Sequence, residues 1–367
     1  MKIIRNVMAV AIGAVNAACT AAFLLSAYSP YIQPTIHPLR SCLGLAFPIF
    51  LLLNVCFLLF WLVIQRYRLA LLPLAGMLLA YPQIRTYLPV NFHTDHLPEG
   101  SLKILSYNVM GFDGCVKKDG KNPILTYLQN SKADILCLQE YATSDSHRHL
   151  TQKDIERALK AYPYHHISKL GDAQATTNRM AIFSKYPVLS VRQLKYQSDY
   201  NGSFVYELKI GKDTVTIINN HLESNKLTKQ DKVVYEDILS APEREKVESG
   251  LRLLLGKLAE ASAIRAPQAD AIAQAVKQSK HPSVIVCGDF NDTPISYTHR
   301  VAGRDLNDAF TQSGQGLGIS YNQNKFYFRI DHILTSKNLQ TYNCTVDKSI
   351  KDSDHYPIWC YFTFKEK

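Results

Sequence analysis

From Leu43 to Ile64 the chain reads LGLAFPIFLLLNVCFLLFWLVI, without one charged side chain. That length matches the ~20 residues an α-helix needs to cross a bilayer, and a soluble core has no use for so long an uncharged segment. The run predicts a transmembrane helix. Val7 to Tyr28 is a second uncharged stretch, richer in alanine, behind Lys2 and Arg5. Such a start also suits a cleaved signal peptide. Ala17-Ala18-Cys19 even hints at a lipidation site, but Asn16 stands where such signals take an apolar residue. With a second span so close behind, an uncleaved first span is the better expectation. Leu69 to Ile84 is shorter and contains Pro73 and Pro82, which membrane helices tolerate. It reads as a third span or as a re-entrant segment.

Lysine and arginine placement predicts orientation. Lys2 and Arg5 precede the first span, Arg66 and Arg68 fill the link between the second and third, and Arg40 alone lies in the first loop. The N-terminus and the second loop are therefore expected in the cytoplasm, with everything after about residue 92 on the outer side if the third segment crosses, and in the cytoplasm if it does not. In a bacterium this is an inner-membrane protein with a periplasmic domain. The expected organisation is a membrane anchor of two to three helices over 1–90, a linker over 91–100 (NFHTDHLPEG) and a catalytic domain over 101–367.

Beyond residue 100 the texture changes to short apolar strands alternating with helices. LKILSYNV, ADILCLQE, RMAIFS, SFVYELKI, DTVTIINNH, SVIVCGDF, YFRIDHILTS and PIWCYFTF read as strands. PILTYLQNSK, QKDIERALKAY and the stretch from about Glu243 to Ser279 read as helices. Their order mixes hairpin neighbours with helix crossovers, which predicts two packed sheets with helices outside. The first 100 residues hold six of the 41 basic and two of the 31 acidic side chains, so the remainder is +6. That suits an anionic substrate but is not the dense basic patchwork of a dedicated nucleic-acid binder. The eight cysteines show no zinc spacing, and Cys137 and Cys287 sit in strand runs as expected of buried thiols.

VCGDFNDTP, residues 286–294, sets two acids and a carboxamide at the mouth of the most apolar strand. Asp, Asn, Gly and Pro make turns, so a turn alone would explain it. The other strand ends carry similar residues: Asn108, Glu140, His221 and Ser224, Asp331, then Asp354 and His355. Singly each is a turn or capping residue; together they are a kit for metal-assisted phosphoryl chemistry. Mg²⁺ is a hard ion that takes oxygen ligands and keeps several waters. Carboxylates hold it, a base activates water, and imidazole or carboxamide donors meet the charge growing on phosphate.

In this order SYNV, LQE, NHLES, GDFN, RIDHIL and SDHYPI resemble the endonuclease/exonuclease/phosphatase superfamily. DNase I, abasic-site endonucleases, neutral sphingomyelinases and inositol-polyphosphate 5-phosphatases share its metal-dependent fold. The resemblance covers about 101–367 and implies a four-layer α/β/β/α sandwich, DNase I-like, behind the N-terminal transmembrane helices. It implies Glu140 as the principal Mg²⁺ (or Mn²⁺) ligand with Asn108 beside it and Asp354 completing the metal region. Asp289 would orient or deprotonate the attacking water, Asn291 hold phosphate, His355 bond a phosphoryl oxygen or shuttle a proton, and Asp331 orient His355. His221 matches the second histidine of the DNase and sphingomyelinase branches. LES is similar to the tyrosyl-DNA phosphodiesterase branch, so Ser224 would touch phosphate.

The sequence departs from that pattern once. The acid that pairs with the His221 equivalent should lie before or near TTNRMAIFSKYP, and none is placed there. Arg179 in this segment is either a phosphate contact or a surface side chain. The insert between His221 and Asp289 carries Arg265 and Gln268, expected to be structural. The implied function is a membrane-anchored, divalent-metal-dependent phosphodiesterase, a nuclease first and a lipid-headgroup phosphodiesterase or phosphatase second. A catalytically dead, membrane-bound binding module comes third. The expected partners are a phosphoester substrate, nucleic acid or lipid headgroup, and the bilayer; no protein partner is indicated.

Overall fold

A computed structural model describes residues 2–365 apart from 119, 147, 171–178, 197, 199, 226, 241–243, 322 and 324–325. In chain order its strands are β1 (Leu102–Asn108), β2 (Ile135–Tyr141), β3 (Tyr164–Lys169), β4 (Arg179–Ser184), β5 (Val188–Gln193), β6 (Gly202–Ile210), β7 (Asp213–His221), β8 (Ser283–Asp289), β9 (Asn307–Asp308), β10 (Asp331–Thr335), β11 (Leu339–Val346) and β12 (Ile358–Phe364). They form two six-stranded sheets, ordered β11-β12-β1-β2-β4-β3 and β5-β6-β7-β8-β10-β9.

Alternation along each central strand explains the layering. Ile135 and Cys137 of β2, Met180 and Ile182 of β4, and Ile285 and Cys287 of β8 enter one core between the sheets. Their neighbours Leu136, Leu138, Ala181 and Phe183 face the helices Pro123–Asn130 and Gln152–Ala158. Val284 and Val286 face Ile272 and Ala275 of the long Arg244–Lys277 helix. Both faces of the central strands are covered, which is why VIVC is a continuous apolar run rather than an alternating one. The result is the expected α/β/β/α sandwich. The strands not anticipated, β3, β5, β9 and β11, lie at or next to sheet edges, where exposed positions dilute the apolar signal. Glu243, the anticipated start of the long helix, lies outside the described residues.

At the N-terminus, helices Lys2–Tyr28, Phe47–Val63 and Tyr67–Leu79 pack side by side. Two helical segments, Asn6–Tyr31 and Pro38–Val63, are long and apolar enough to cross a membrane. The third apolar stretch does not run unbroken: it parts at Ala80 into Tyr67–Leu79 and Tyr81–Tyr87. The buried Asn54 is satisfied inside the bundle, accepting from Thr20 Oγ1 at 2.8 Å and donating to the Phe50 carbonyl at 2.8 Å. At one end of the bundle Arg66 donates to Asn6 (3.1 Å), and at the other Tyr28 Oη donates to the Leu79 carbonyl (2.9 Å).

That second end docks on the sandwich. A Cβ on Gly44 would meet the Ile295 carbonyl oxygen at 2.0 Å, so only glycine allows the approach. Arg300 Nε donates to the Pro30 carbonyl at 2.7 Å, and its guanidinium lies 4.6 Å from the centre of the Tyr31 ring. The buried Arg329 donates to the Thr86 carbonyl. Residues 88–101 form no helix, yet they are fastened: Asn91 donates to the carbonyls of Thr311 and Gly314, and Thr94 exchanges hydrogen bonds with Asn343.

Candidate active site

Pairing directions bring the polar strand ends together. β1 runs parallel to β2 in one sheet and β7 parallel to β8 in the other, so Asn108, Glu140, His221 and Asp289 all emerge at one edge. β10 runs antiparallel to β8 and starts where β8 ends, placing Asp331 opposite Asp289. The site thus straddles the seam between the sheets. Contacts across that seam include Gln139 Nε2 donating to Asn219 Oδ1 at 2.7 Å and Asn108 Nδ2 to Asp289 Oδ2 at 3.2 Å.

Local backbone shapes the site as well. Gly288 has φ +128° and lies against β7, where a Cβ would stand 2.0 Å from the Asn220 carbonyl oxygen. Glu140 and Asn291 hold φ of +52° and +50°, the left-handed region that non-glycine residues adopt at a cost and that gathers at functional sites.

Asp289 is the hub. Its Oδ1 accepts the Asn291 N–H at 2.8 Å, and its Oδ2 lies 3.6 Å from His355 Nε2 and 3.8 Å from His221 Nε2. Burial pushes its carboxyl above the ordinary aspartate value; His355 and His221 pull it down, and Asp331 pushes it up. His355 Nδ1 meets Asp331 Oδ2 at 2.8 Å. Burial opposes its protonation, but Asp331 and Asp289 together outweigh burial and hold its pKa well above the usual histidine value. The Tyr321 ring packs edge-on at 5.2 Å from the His355 imidazole.

Glu140 stands at the rim, accepting from Asn108 Nδ2 at 2.9 Å and lying 3.5 Å from His221 Nε2. It lines a cleft of about 910 Å³ together with His221, Ser224, His149 and Tyr200. The residues suit a divalent cation. Asp289, Asp331 and His355 set their polar atoms within 4.8 Å of one another, and Asp331 Oδ1 is buried without a partner among the described residues. The Glu140 carboxylate, partly exposed and facing the cleft, is the hard oxygen donor left open for a cation.

Asn108, Glu140, His221, Asp289, Asn291, Asp331, Asp354 and His355 therefore share one edge of the fold, and Ser224 lines the cleft. Asn108 faces Glu140 and Asp289 with its nitrogen, while its oxygen accepts the Met110 N–H at 3.1 Å. Asn291 donates to the Leu222 carbonyl at 3.0 Å. Arg179 does not line the cleft. It pairs with Tyr141, and alternation along β4 turns it with Phe183 toward the helix layer. His221 Nδ1 has no hydrogen-bond partner among the described residues, and the segment expected to supply one begins at Thr176–Asn178, outside them.

Sequence reading missed the supports. Ser353 Oγ donates to the Asn108 carbonyl (2.8 Å) and accepts the His355 N–H (3.2 Å), fastening the last loop to β1. Ser320 Oγ accepts the N–H groups of Ile330 and Asp331. Serines in loops carry no spacing signal that would have singled these out. Arg265 and Gln268 prove structural: Arg265 Nη1 donates to the Glu223 carbonyl and to Asn225, and Gln268 accepts the Glu223 N–H.

The model of the Endonuclease/Exonuclease/phosphatase family matches residues 105–355, and the chain belongs to that family of phosphoester hydrolases. A domain of unknown function (DUF8431) matches residues 9–87. No curated protein matches the sequence. Among solved structures, Danio rerio TDP2 complexed with a single-strand DNA product is 18% identical with a TM-score of 0.49, over 72% of this chain and all of that one. The human Nocturnin catalytic domain with bound sulfate is 16% identical with a TM-score of 0.49, over 73% of this chain and 95% of the other. An endonuclease/exonuclease/phosphatase from Beutenbergia cavernae is 13% identical with a TM-score of 0.47, over 72% of each.

Proposed function

We propose that this chain is a membrane-anchored, divalent-metal-dependent phosphodiesterase. The observation that carries the reading is Asp289, buried between two imidazoles and within 3.2 Å of the Asn108 amide that also holds Glu140. A buried carboxylate beside a positively held His355 is a base and a donor set on either side of one reacting phosphorus.

Glu140 would hold the ion, with Asn108 fixing the carboxylate and Asp354 nearby; when bound, the ion neutralises charge on phosphate and eases departure of the leaving oxygen. The remaining roles fall to the protein. Asp289 orients the water and takes its proton as the water oxygen bonds to phosphorus. His355, kept charged by Asp331, donates to a phosphoryl oxygen. His221, beside Glu140, donates to the phosphate from the other side. The P–O bond to the alcohol breaks, the leaving oxygen takes a proton from solvent, and Asp289 returns the proton it took to solvent. The mild positive surplus of the domain draws an anionic substrate toward the cleft.

The apolar N-terminal helices support the anchor. Lys2, Arg5, Arg66 and Arg68 lie toward the end of the bundle away from the sandwich, which by the positive-inside tendency puts the catalytic domain on the outer, periplasmic face of a bacterial inner membrane. The test is hydrolysis of bis(p-nitrophenyl) phosphate by the full chain in detergent with Mg²⁺ or Mn²⁺. EDTA, Asp289→Asn and His355→Ala should each lower the rate by about 100-fold or more. Parent-level activity in Asp289→Asn would sink the assignment.

A further inference from the structure

Behind the catalytic edge lies a second cavity, of about 480 Å³. Three segments far apart in the sequence enclose it. Leu45 and Ile49 come from the start of the second apolar helical segment, Leu254, Leu255 and Leu258 from the long helix, and Phe328 from the strand-like run before β10. At its inner end stand Ser224, Asn291 and Tyr321. Ser224 lines the polar cleft as well, so this one side chain borders both cavities beside the phosphate position proposed above.

We propose that this chamber takes the hydrocarbon chain of a membrane phospholipid whose phosphoester lies at Asp289 and His355 and whose headgroup occupies the cleft. The inference rests on the phosphodiesterase reading and names its substrate class. The shape fits an amphiphile: an apolar chamber and a polar cleft lie on either side of Ser224. One chamber wall is the segment Pro38–Val63, apolar enough to cross a membrane, so a chain leaving the bilayer along that helix enters without crossing water. Ile49, Leu251 and Leu255 line the chamber and are also exposed, as is Leu253 beside them, so its mouth opens through an apolar surface suited to resting on lipid.

The chamber does not suit a polynucleotide. Arg265 is the one cation among its described lining residues, and it is occupied by Glu223, Asn225 and Asp292. Of its aromatic lining residues, Tyr235 and Phe326 stack on each other at 4.0 Å, Phe328 packs against Phe326 at 6.1 Å and Tyr321 packs edge-on against His355 at 5.2 Å, so these rings are engaged with one another rather than arrayed for bases.

The experiment uses the full chain in a fixed detergent with methyl, butyl, octyl and dodecyl p-nitrophenyl phosphodiesters below their micellar thresholds. kcat/KM should climb with chain length by up to about fourfold per methylene, the ratio that about 0.8 kcal/mol per buried CH₂ converts to, until the chamber is full. Leu255→Trp and Ile49→Trp, which fill the chamber from two sides, should abolish the climb and still hydrolyse the methyl ester at the parent rate, which also reports that they fold. A flat chain-length series with active methyl ester overturns the lipid assignment and leaves the phosphodiesterase reading standing. So does a climb that persists in both tryptophan variants, or a single-stranded oligonucleotide cleaved with higher kcat/KM than the dodecyl ester. Metal-dependent hydrolysis of none of these substrates overturns the phosphodiesterase reading itself.

Discussion

Gly288→Ala is a single-methyl test of how the site is held. The added Cβ would stand 2.0 Å from the Asn220 carbonyl oxygen and 2.7 Å from the Asn220 nitrogen, both backbone atoms that no rotamer change can move. Reaching an ordinary contact of 3.4 Å requires β8 to leave β7 by about 1.4 Å, one residue before Asp289. The φ of +128° adds strain for any L side chain. Backbone strain of about 1–3 kcal/mol and overpacking of about 1–3 kcal/mol sum to roughly 2–6 kcal/mol. For a domain of this size that lowers the melting temperature by roughly 5–15 °C. Activity should fall further than stability. Asp289 sits 3.2 Å from Asn108 and 3.6 Å from His355, and a displacement near 1 Å can cost about 100-fold in rate. Thermal unfolding in detergent and kcat/KM on bis(p-nitrophenyl) phosphate are the two readouts. A variant that melts within a degree of the parent and keeps its kcat/KM would refute the claim that the Gly288–Asn220 approach sets the hub.

Two further outcomes follow from other parts of the molecule. Asp154 closes a capping box with Thr151 and pairs with Lys117 at 2.8 Å; the Lys117 contact foremost, then Thr151, lowers its pKa from 3.8 to about 2. A depressed carboxylate stabilises the fold above its unfolded pKa and loses that contribution as pH falls through the folded one. Asp154→Asn should therefore flatten the loss of melting temperature between about pH 4 and pH 2 and lower stability at neutral pH by about 1 kcal/mol; parallel pH profiles would refute this. Gly44→Val should push the bundle off Ile295 and speed proteolysis within residues 91–100, and unchanged cleavage kinetics would show that the contact does not matter.

Most of the site was legible because β strands end where chemistry gathers. Asn108, Glu140, His221, Asp289 and Asp331 each close or open an apolar run, so one reading of strand boundaries found them. The sheet order was not legible as such: β3, largely exposed, and β11, buried or half-buried, are edge strands, and nothing local marks which neighbour they choose. Arg179, the nearest charged group in its segment, read equally as a phosphate contact or a surface side chain; alternation along β4 turns it to the helix face beside Tyr141. Long-range supports were silent for a different reason. Ser353 and Gly44 act through partners more than two hundred residues away, Ser320 through two N–H groups across a loop, and a lone serine or glycine carries no signal of its partner.

The fastening of residues 88–101 sets how the site meets its substrate. Asn91 and Thr94 tie the connection to the sandwich, and Gly44 and Arg300 seat the bundle on it. A catalytic domain on a slack tether sweeps a volume and samples whatever diffuses through it. This one is seated at a fixed height and tilt. On the proposed reading of a bilayer anchor and a lipid substrate, its encounters would become a problem in two dimensions: molecules drifting in the leaflet would arrive at the chamber mouth from the side, at a rate set by lateral diffusion and surface density rather than by bulk concentration.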